Sequence, residues 1–226
     1  MKRFSLDVLY EDNHLLVVNK PAGLATMGVA ADKPSLLTVA KEYIKTRYNK
    51  PGNVYLGILS RLDAPVTGVV LLARTSKAAR RLTEQFRTRA VEKVYWALVE
   101  GLVKPPEGQL VNWVAPDKRH RRMHIVGPTM DGAQEARLGY RRLASADKAS
   151  LVEVILETGR KHQIRLQLAE RGFPILGDRK YGSVRPWPKG IALHARRLTV
   201  THPTTGEELT FEATPPEPWN RFELPD

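Results

Sequence analysis

Apolar residues along this chain fall into short runs and helical stripes, and each points to an element. Leu15-Leu16-Val17-Val18-Asn19 reads as a buried strand, ended by Lys20-Pro21-Ala22-Gly23. A loop holding Gly28 and Pro34 follows, and the spacing predicts a helix from Leu36 to Tyr48, closed by Pro51-Gly52. Val69 to Ala73 is a second buried strand. Ser76 is the expected N-cap of a helix whose Ala78, Leu82 and Phe86 fall at i, i+4 and i+8. Lys93 to Val99 alternates, with Val94, Trp96 and Leu98 on one face and Tyr95, Ala97 and Val99 on the other.

Further on, Lys104 to Pro128 is Pro-rich and basic, which predicts irregular hairpins. Leu151 to Leu156 reads as a strand, and Thr158-Gly159-Arg160 turns the chain into a short helix carrying Ile164 and Leu168. Gly172 and Pro174 would stop that helix. Leu198 to Thr201 and Leu209 to Glu212 flank the turn His202-Pro203-Thr204-Thr205-Gly206, so this pair reads as a hairpin. No repeat or low-complexity linker interrupts the 226 residues. The expected fold is one mixed α+β domain over residues 1–226, with a central, largely antiparallel sheet and flanking helices.

Composition narrows the class. With 42% hydrophobic and 27% charged residues the chain has the make-up of a globular protein, and no stretch approaches a membrane span. Met1-Lys2-Arg3-Phe4-Ser5 leads into no signal-peptide core, and the absence of Cys removes disulfides, thiolate metal sites and a Cys nucleophile. The expectation is a cytoplasmic protein. The net charge of +12 changes the picture more, because such an excess suits a polyanionic partner. Lys118-Arg119-His120-Arg121-Arg122-Met123-His124 is a dense basic run, and Arg74, Lys77, Arg80, Arg81, Arg87, Arg89 and Lys93 crowd another segment. A basic face kept for solubility is the plainer alternative.

Candidate chemistry centres on Asp63, in Arg61-Leu62-Asp63-Ala64-Pro65-Val66-Thr67-Gly68, directly before a buried strand. A loop at the mouth of such a strand holds a reactive group both fixed and accessible. Taken alone, the octet fits an Asx-turn or helix-cap residue better than a reactive one. His162, His194 and His202 lack metal-ligand spacing, and Lys20-Pro21-Ala22-Gly23 lacks the glycine pattern of a phosphate-binding loop.

Four segments in order make the chain resemble the RluA-like family of RNA pseudouridine synthases. They are Glu11 to Leu24, the Asp63 octet, Glu92 to Gly101, and Thr158-Gly159-Arg160-Lys161-His162-Gln163-Ile164-Arg165 continuing to Gly177-Asp178-Arg179-Lys180-Tyr181-Gly182. Leu193-His194-Ala195 and His202-Pro203 extend the match over almost the whole chain. The resemblance implies isomerisation of uridine to pseudouridine in structured RNA, tRNA or rRNA, without a cofactor, by a monomer with no separate N-terminal RNA-binding domain. It also implies roles for single residues. Asp63 is the nucleophile or base, Arg165 keeps it ionised, and Tyr95 stacks on uracil or assists proton removal. Arg61, Lys93, Arg119, Arg121, Arg122 and His162 are the expected RNA contacts. The departures are Ser60 where the family usually has His, Val66 where it has Thr, and Gln167 where it has His, and they bear on the rim of the pocket. A catalytically idle RNA-binding module or chaperone on the same scaffold is the alternative.

Overall fold

The computed structural model describes residues 5–30, 32–146 and 148–222. The chain divides into two compact units, Met1–Val91 with Ala195–Pro215, and Glu92–His194 with Pro216–Asp226. The fold class is α+β, as the sequence predicts.

In the first unit the strands β1 (Asp7–Glu11), β2 (Leu15–Lys20), β3 (Gly57–Ile58), β4 (Thr67–Ala73), most of β10 (Leu193–Thr201) and β11 (Glu208–Glu212) carry two helices. The sheet order is β1-β2-β4-β10, with β11 beside β10 and β3 beside β4. The pairings β1–β2, β2–β4, β3–β4 and β10–β11 are antiparallel. The apolar runs become β2 and β4 because both of their faces are covered; all seven residues of β4 are buried. One face packs Leu15, Val17, Val69 and Leu71 with Leu198, Phe211 and helix α2 (Ser76–Arg87) through Ala78 and Leu82. Helix α1 (Leu36–Arg47) buries Leu36, Ala40 and Ile44, and starts at a capping box between Ser35 and Thr38.

The start of α2 differs from the sequence reading. Thr75, not Ser76, is its N-cap: Thr75 keeps extended dihedrals, and its Oγ1 accepts from the Ala78 backbone N–H at 3.1 Å. The predicted C-terminal hairpin is present, with Val200 opposite Leu209. Its turn is docked by His202, whose Nε2 lies 2.9 Å from Asp12 Oδ2.

The second unit holds β5 (Glu92–Glu100), β6 (Glu107–Asp117), β7 (Arg122–Val126), β8 (Gln134–Ala146) and β9 (Ala149–Leu156) in the order β5-β9-β8-β6-β7. These neighbours pair antiparallel. Lys104 to Pro128, expected to be irregular, is instead mostly the regular strands β6 and β7. The prolines at 105 and 106 lie just before β6, and Leu110, Val114 and Ala115 give it buried positions. The predicted short helix is α3 (Gln163–Glu170). Its Leu166 packs with Val114, Met123, Ala136 and Tyr181. Gly172, with φ +83°, adopts the left-handed conformation that ends it.

Candidate active site

Asp63 lies in the first unit, on the loop that enters β4, and is half-buried. Backbone bonds fix the loop on both sides of it. The Thr26 hydroxyl donates to the Leu62 carbonyl at 2.8 Å and accepts from the Leu62 N–H at 3.1 Å. The Asp63 carbonyl accepts from Val66 N–H at 3.0 Å, closing a turn over Ala64-Pro65. The Ala64 carbonyl accepts from Gly23 N–H at 2.8 Å. Just beyond, Gly68 has φ +112°, and a Cβ there would run into the backbone of Ala195. Only glycine lets the loop enter β4 at this spot.

Beneath the loop sits a residue to which the sequence reading gave no role. Lys20, the last residue of β2 and register partner of Gly68, is completely buried. Its Nζ donates to the carbonyls of Leu24 at 2.8 Å, Pro21 at 2.9 Å and Ala64 at 3.3 Å. Burial lowers its pKa to about 7, and the negative charge of Asp63 works against that fall. Between about pH 7 and the unfolded value of 10.5 the unfolded chain keeps a proton that the folded chain has released. Stability arising from this group therefore climbs as pH rises through that window and is lowest below it. In urea titrations at about pH 6.5 and about pH 9.5, the stability of the wild type relative to Lys20→Met should be greater at the higher pH. An equal difference at both values would contradict the depressed lysine.

The second unit holds Tyr95 and Arg165. Tyr95 stands on β5 opposite Val154 of β9, half-buried, while its same-face neighbours Ala97 and Val99 are fully buried. Arg165 is on the inward face of α3 and is 5 % exposed. Its Nε and Nη2 reach the two oxygens of Asp178 at 2.6 and 2.8 Å, a bidentate fork. The Arg165 guanidinium also lies 5.1 Å from the centre of the Tyr181 ring. Tyr181 is itself tied: its oxygen accepts from Met123 N–H at 2.9 Å and lies 2.8 Å from His162 Nδ1. Sequence reasoning did not single out Asp178, although Gly177-Asp178 stands inside the fourth motif.

Glu100 braces the loop beyond Asp178 by accepting from Ser183 Oγ at 2.7 Å and from the Val184 and Arg185 N–H groups at 2.9 Å each. Burial alone would raise its pKa, but these bonds lower it below the usual carboxylate range.

Of the expected RNA contacts, Arg61 is exposed in the first unit, and Lys93 and His162 are half-buried in the second. Arg119, Arg121 and Arg122 are exposed at the β6–β7 turn. Asp117 shapes that turn, accepting from His120 N–H at 3.0 Å and lying 2.7 Å from His120 Nδ1. The two His120 bonds hold the Asp117 pKa down to about 2. Two of the departures from the family pattern are buried. Gln167 is buried, and its Nε2 bonds Asn112 Oδ1 and the Leu110 and Ala136 carbonyls, so it joins β6 to β8. Val66 is buried as well.

The sequence profile of the RNA pseudouridylate synthase family matches residues 14–170. The chain belongs to this family. It is similar to the dual-specificity RNA pseudouridine synthase RluA of Escherichia coli K12, 36% identical over 215 residues that cover 92% of each chain. It is 33% identical over 228 residues to ribosomal large subunit pseudouridine synthase D of Pseudomonas aeruginosa, covering 94% of this chain and 69% of that protein. Among solved structures it resembles human RNA pseudouridylate synthase domain containing 4, with a TM-score of 0.80 and 28% identity over 97% of this chain and 95% of that one. The chain spans about two thirds of the length of several relatives, 68% for the RNA pseudouridine synthase YhcT of Bacillus subtilis. The RluA-like resemblance read from the motifs is thus a family membership, and the chain is an isomerase acting on RNA.

Proposed function

We propose that the chain converts uridine to pseudouridine in structured tRNA or rRNA, with Asp63 as the nucleophile or base. The observation that carries this is the Asp63 loop: a half-buried carboxylate whose flanking backbone is fixed by Thr26, Gly23 and Lys20. Isomerisation must break the C1′–N1 bond, turn the uracil and rejoin it at C5. No electron, water or external energy enters the overall reaction. One fixed carboxylate can attack sugar or base, or remove the proton that opens the sugar. The reading assigns Arg165 to the charge of Asp63 and Tyr95 to stacking on uracil or to proton removal at C5. A base inside a stacked helix cannot reach such a residue, so the target nucleotide must leave the stack, and Arg61 is assigned to its replacement there. The names of relatives motivate both RNA classes, one being called dual-specificity and another ribosomal.

Mass-spectrometric mapping of pseudouridine in tRNA and rRNA, with and without the gene, tests the reading. Loss of one or more specific pseudouridines that return with the wild-type gene and not with Asp63→Asn is the expected result. An unchanged map would favour the idle RNA-binding alternative.

Binding should also depend on salt. Arg119, Arg121 and Arg122 sit exposed on a turn that Asp117 pre-shapes, which suits them to phosphates. Replacing all three with Ala should reduce the log–log slope of affinity against salt by roughly one for each phosphate no longer neutralised. The modified uridine should stay the same. An unaltered slope in filter-binding titrations would make this turn a solvated face.

A further inference from the structure

We infer that the outer face of helix α2 is a second RNA contact, placed to hold phosphates of the substrate away from its target uridine. The assignment rests on RNA being the substrate, and the face is one that the Asp63 reading does not use. Of the cations that crowd this segment, Arg74 is spent inside the fold, with Nη1 3.0 Å from Glu11 Oε1 and bonded also to the Asp12 carbonyl. Lys77, Arg80, Arg81 and Arg87 are exposed on α2. At 3.6 residues per turn they fall on one face, opposite the buried Ala78 and Leu82. Glu84 is the only acid between Arg74 and Val91. Its carboxylate is taken by Arg87, whose Nε and Nη2 donate to it at 2.8 and 2.5 Å.

Helix stability does not account for this face. Cations favour a helix near its C-terminus and disfavour it near the N-terminus, where unpaired backbone N–H groups concentrate positive charge. Helix α1 follows that rule, with Lys45 and Arg47 in its last turn. Helix α2 has no acid in its first turn and carries Lys77, Arg80 and Arg81 in its N-terminal half. Lys77 and Arg81 are also like charges at i, i+4, which costs stability. Solubility does not call for the face either, because acidic side chains serve it better than basic ones. Phosphates do call for it, and three of the four cations are arginines, whose planar, weakly hydrated guanidiniums suit them.

The face is remote from the Asp63 loop. Gly68, just beyond that loop, lies against the backbone of Ala195 near the start of β10. Helix α2 meets the other end of β10. Gln85 Nε2 donates to the Thr201 carbonyl at 2.8 Å, Thr201 N–H donates to Gln85 Oε1 at 3.0 Å, and Arg81 donates to the Pro203 carbonyl. The strand from Ala195 to Thr201 spans about 20 Å. A substrate that touches both ends therefore carries a stem or a neighbouring helix beside its uridine, not a lone loop.

The test uses Lys77→Gln with Arg80→Gln, which removes two cations and leaves Arg81 and Arg87 to their bonds. The probes are rRNA and tRNA from cells lacking the gene, and the target loop with only its closing base pairs, cut from whichever RNA the pseudouridine map identifies. On the whole RNA the variant should lose about tenfold or more in affinity at about 0.1 M salt, and its log–log slope should fall by roughly two. Single-turnover rate at saturating RNA should match the wild type, and the isolated loop should bind both proteins alike. The thermal midpoint should stay or rise, since positive charge has left the N-terminal half of the helix. If the double variant does not fold, Lys77→Glu replaces it, because it puts an acid where the helix favours one.

Unchanged slope and affinity on the whole RNA would leave α2 a surface helix without an RNA role. Equal weakening on the isolated loop would overturn the remote contact, and a slower saturating rate with affinity intact would overturn the binding role. A wild type that forms no pseudouridine in any RNA would instead remove the Asp63 reading, and the slopes on rRNA and tRNA would still decide the α2 face.

Discussion

Asp63→Asn should abolish pseudouridine formation while leaving the fold and RNA binding in place. The side chain keeps its shape, and backbone groups of Leu62, Asp63 and Ala64 go on fixing the loop in the variant. An amide is a far poorer nucleophile and base than a carboxylate. The expected loss is about 10,000-fold or more in single-turnover rate, about 5.5 kcal/mol of barrier. The measurement is pseudouridine formation on the natural RNA by a freshly prepared, deamidation-free protein. Circular dichroism and RNA affinity serve as controls. Turnover within about tenfold of wild type would leave Asp63 without its assigned role.

Much of the framework was legible because burial and period agreed. β2 and β4 are apolar runs covered on both faces, so their composition alone marks them. Helix α3 was readable from Ile164, Leu168 and the stop at Gly172, whose backbone needs the left-handed region. The strands β6, β7 and β8 were harder. Prolines and a dense basic turn obscured the first two, and β8 was not read although Asp131-Gly132 marks a turn before it and its buried positions Ala136, Leu138 and Tyr140 alternate with less buried ones. The N-cap of α2 slipped by one residue because Thr75 and Ser76 are both good caps, and only the backbone dihedrals decide between them.

The candidate site residues were named from their motifs, whereas their supports were not. Asp63 stood out by its loop, but Lys20 did not, because a lysine closing a strand ordinarily points to solvent. Its burial follows from the Pro21-to-Leu24 turn and from a carbonyl 44 residues further along the chain, which no local pattern encodes. Arg165 stood out as a charged residue on an inward face. Its partner Asp178 lies 13 residues later, beyond the end of α3, so helical spacing gave no sign of it.

That ion pair carries the second large effect. Asp178 is 2 % exposed and Arg165 is 5 % exposed, so Asp178→Ala leaves a buried guanidinium without the carboxylate that meets its Nε and Nη2. Breaking a buried pair from one side costs about 3–5 kcal/mol, because the remaining charge has lost these hydrogen bonds and is still desolvated. For a chain of this length that corresponds to a fall of roughly 10 °C in the thermal midpoint. Asp178→Asn, which keeps one acceptor, should lose less than Asp178→Ala. The double variant Arg165→Met with Asp178→Leu removes both charges and should recover part of the lost stability, since apolar replacement of a buried pair is often close to neutral. Activity should not return with it, because the guanidinium assigned to Asp63 is gone. Thermal melts and single-turnover assays on the three variants separate these effects. A double variant as unstable as Asp178→Ala would show that shape at this position, rather than the missing countercharge, sets the cost.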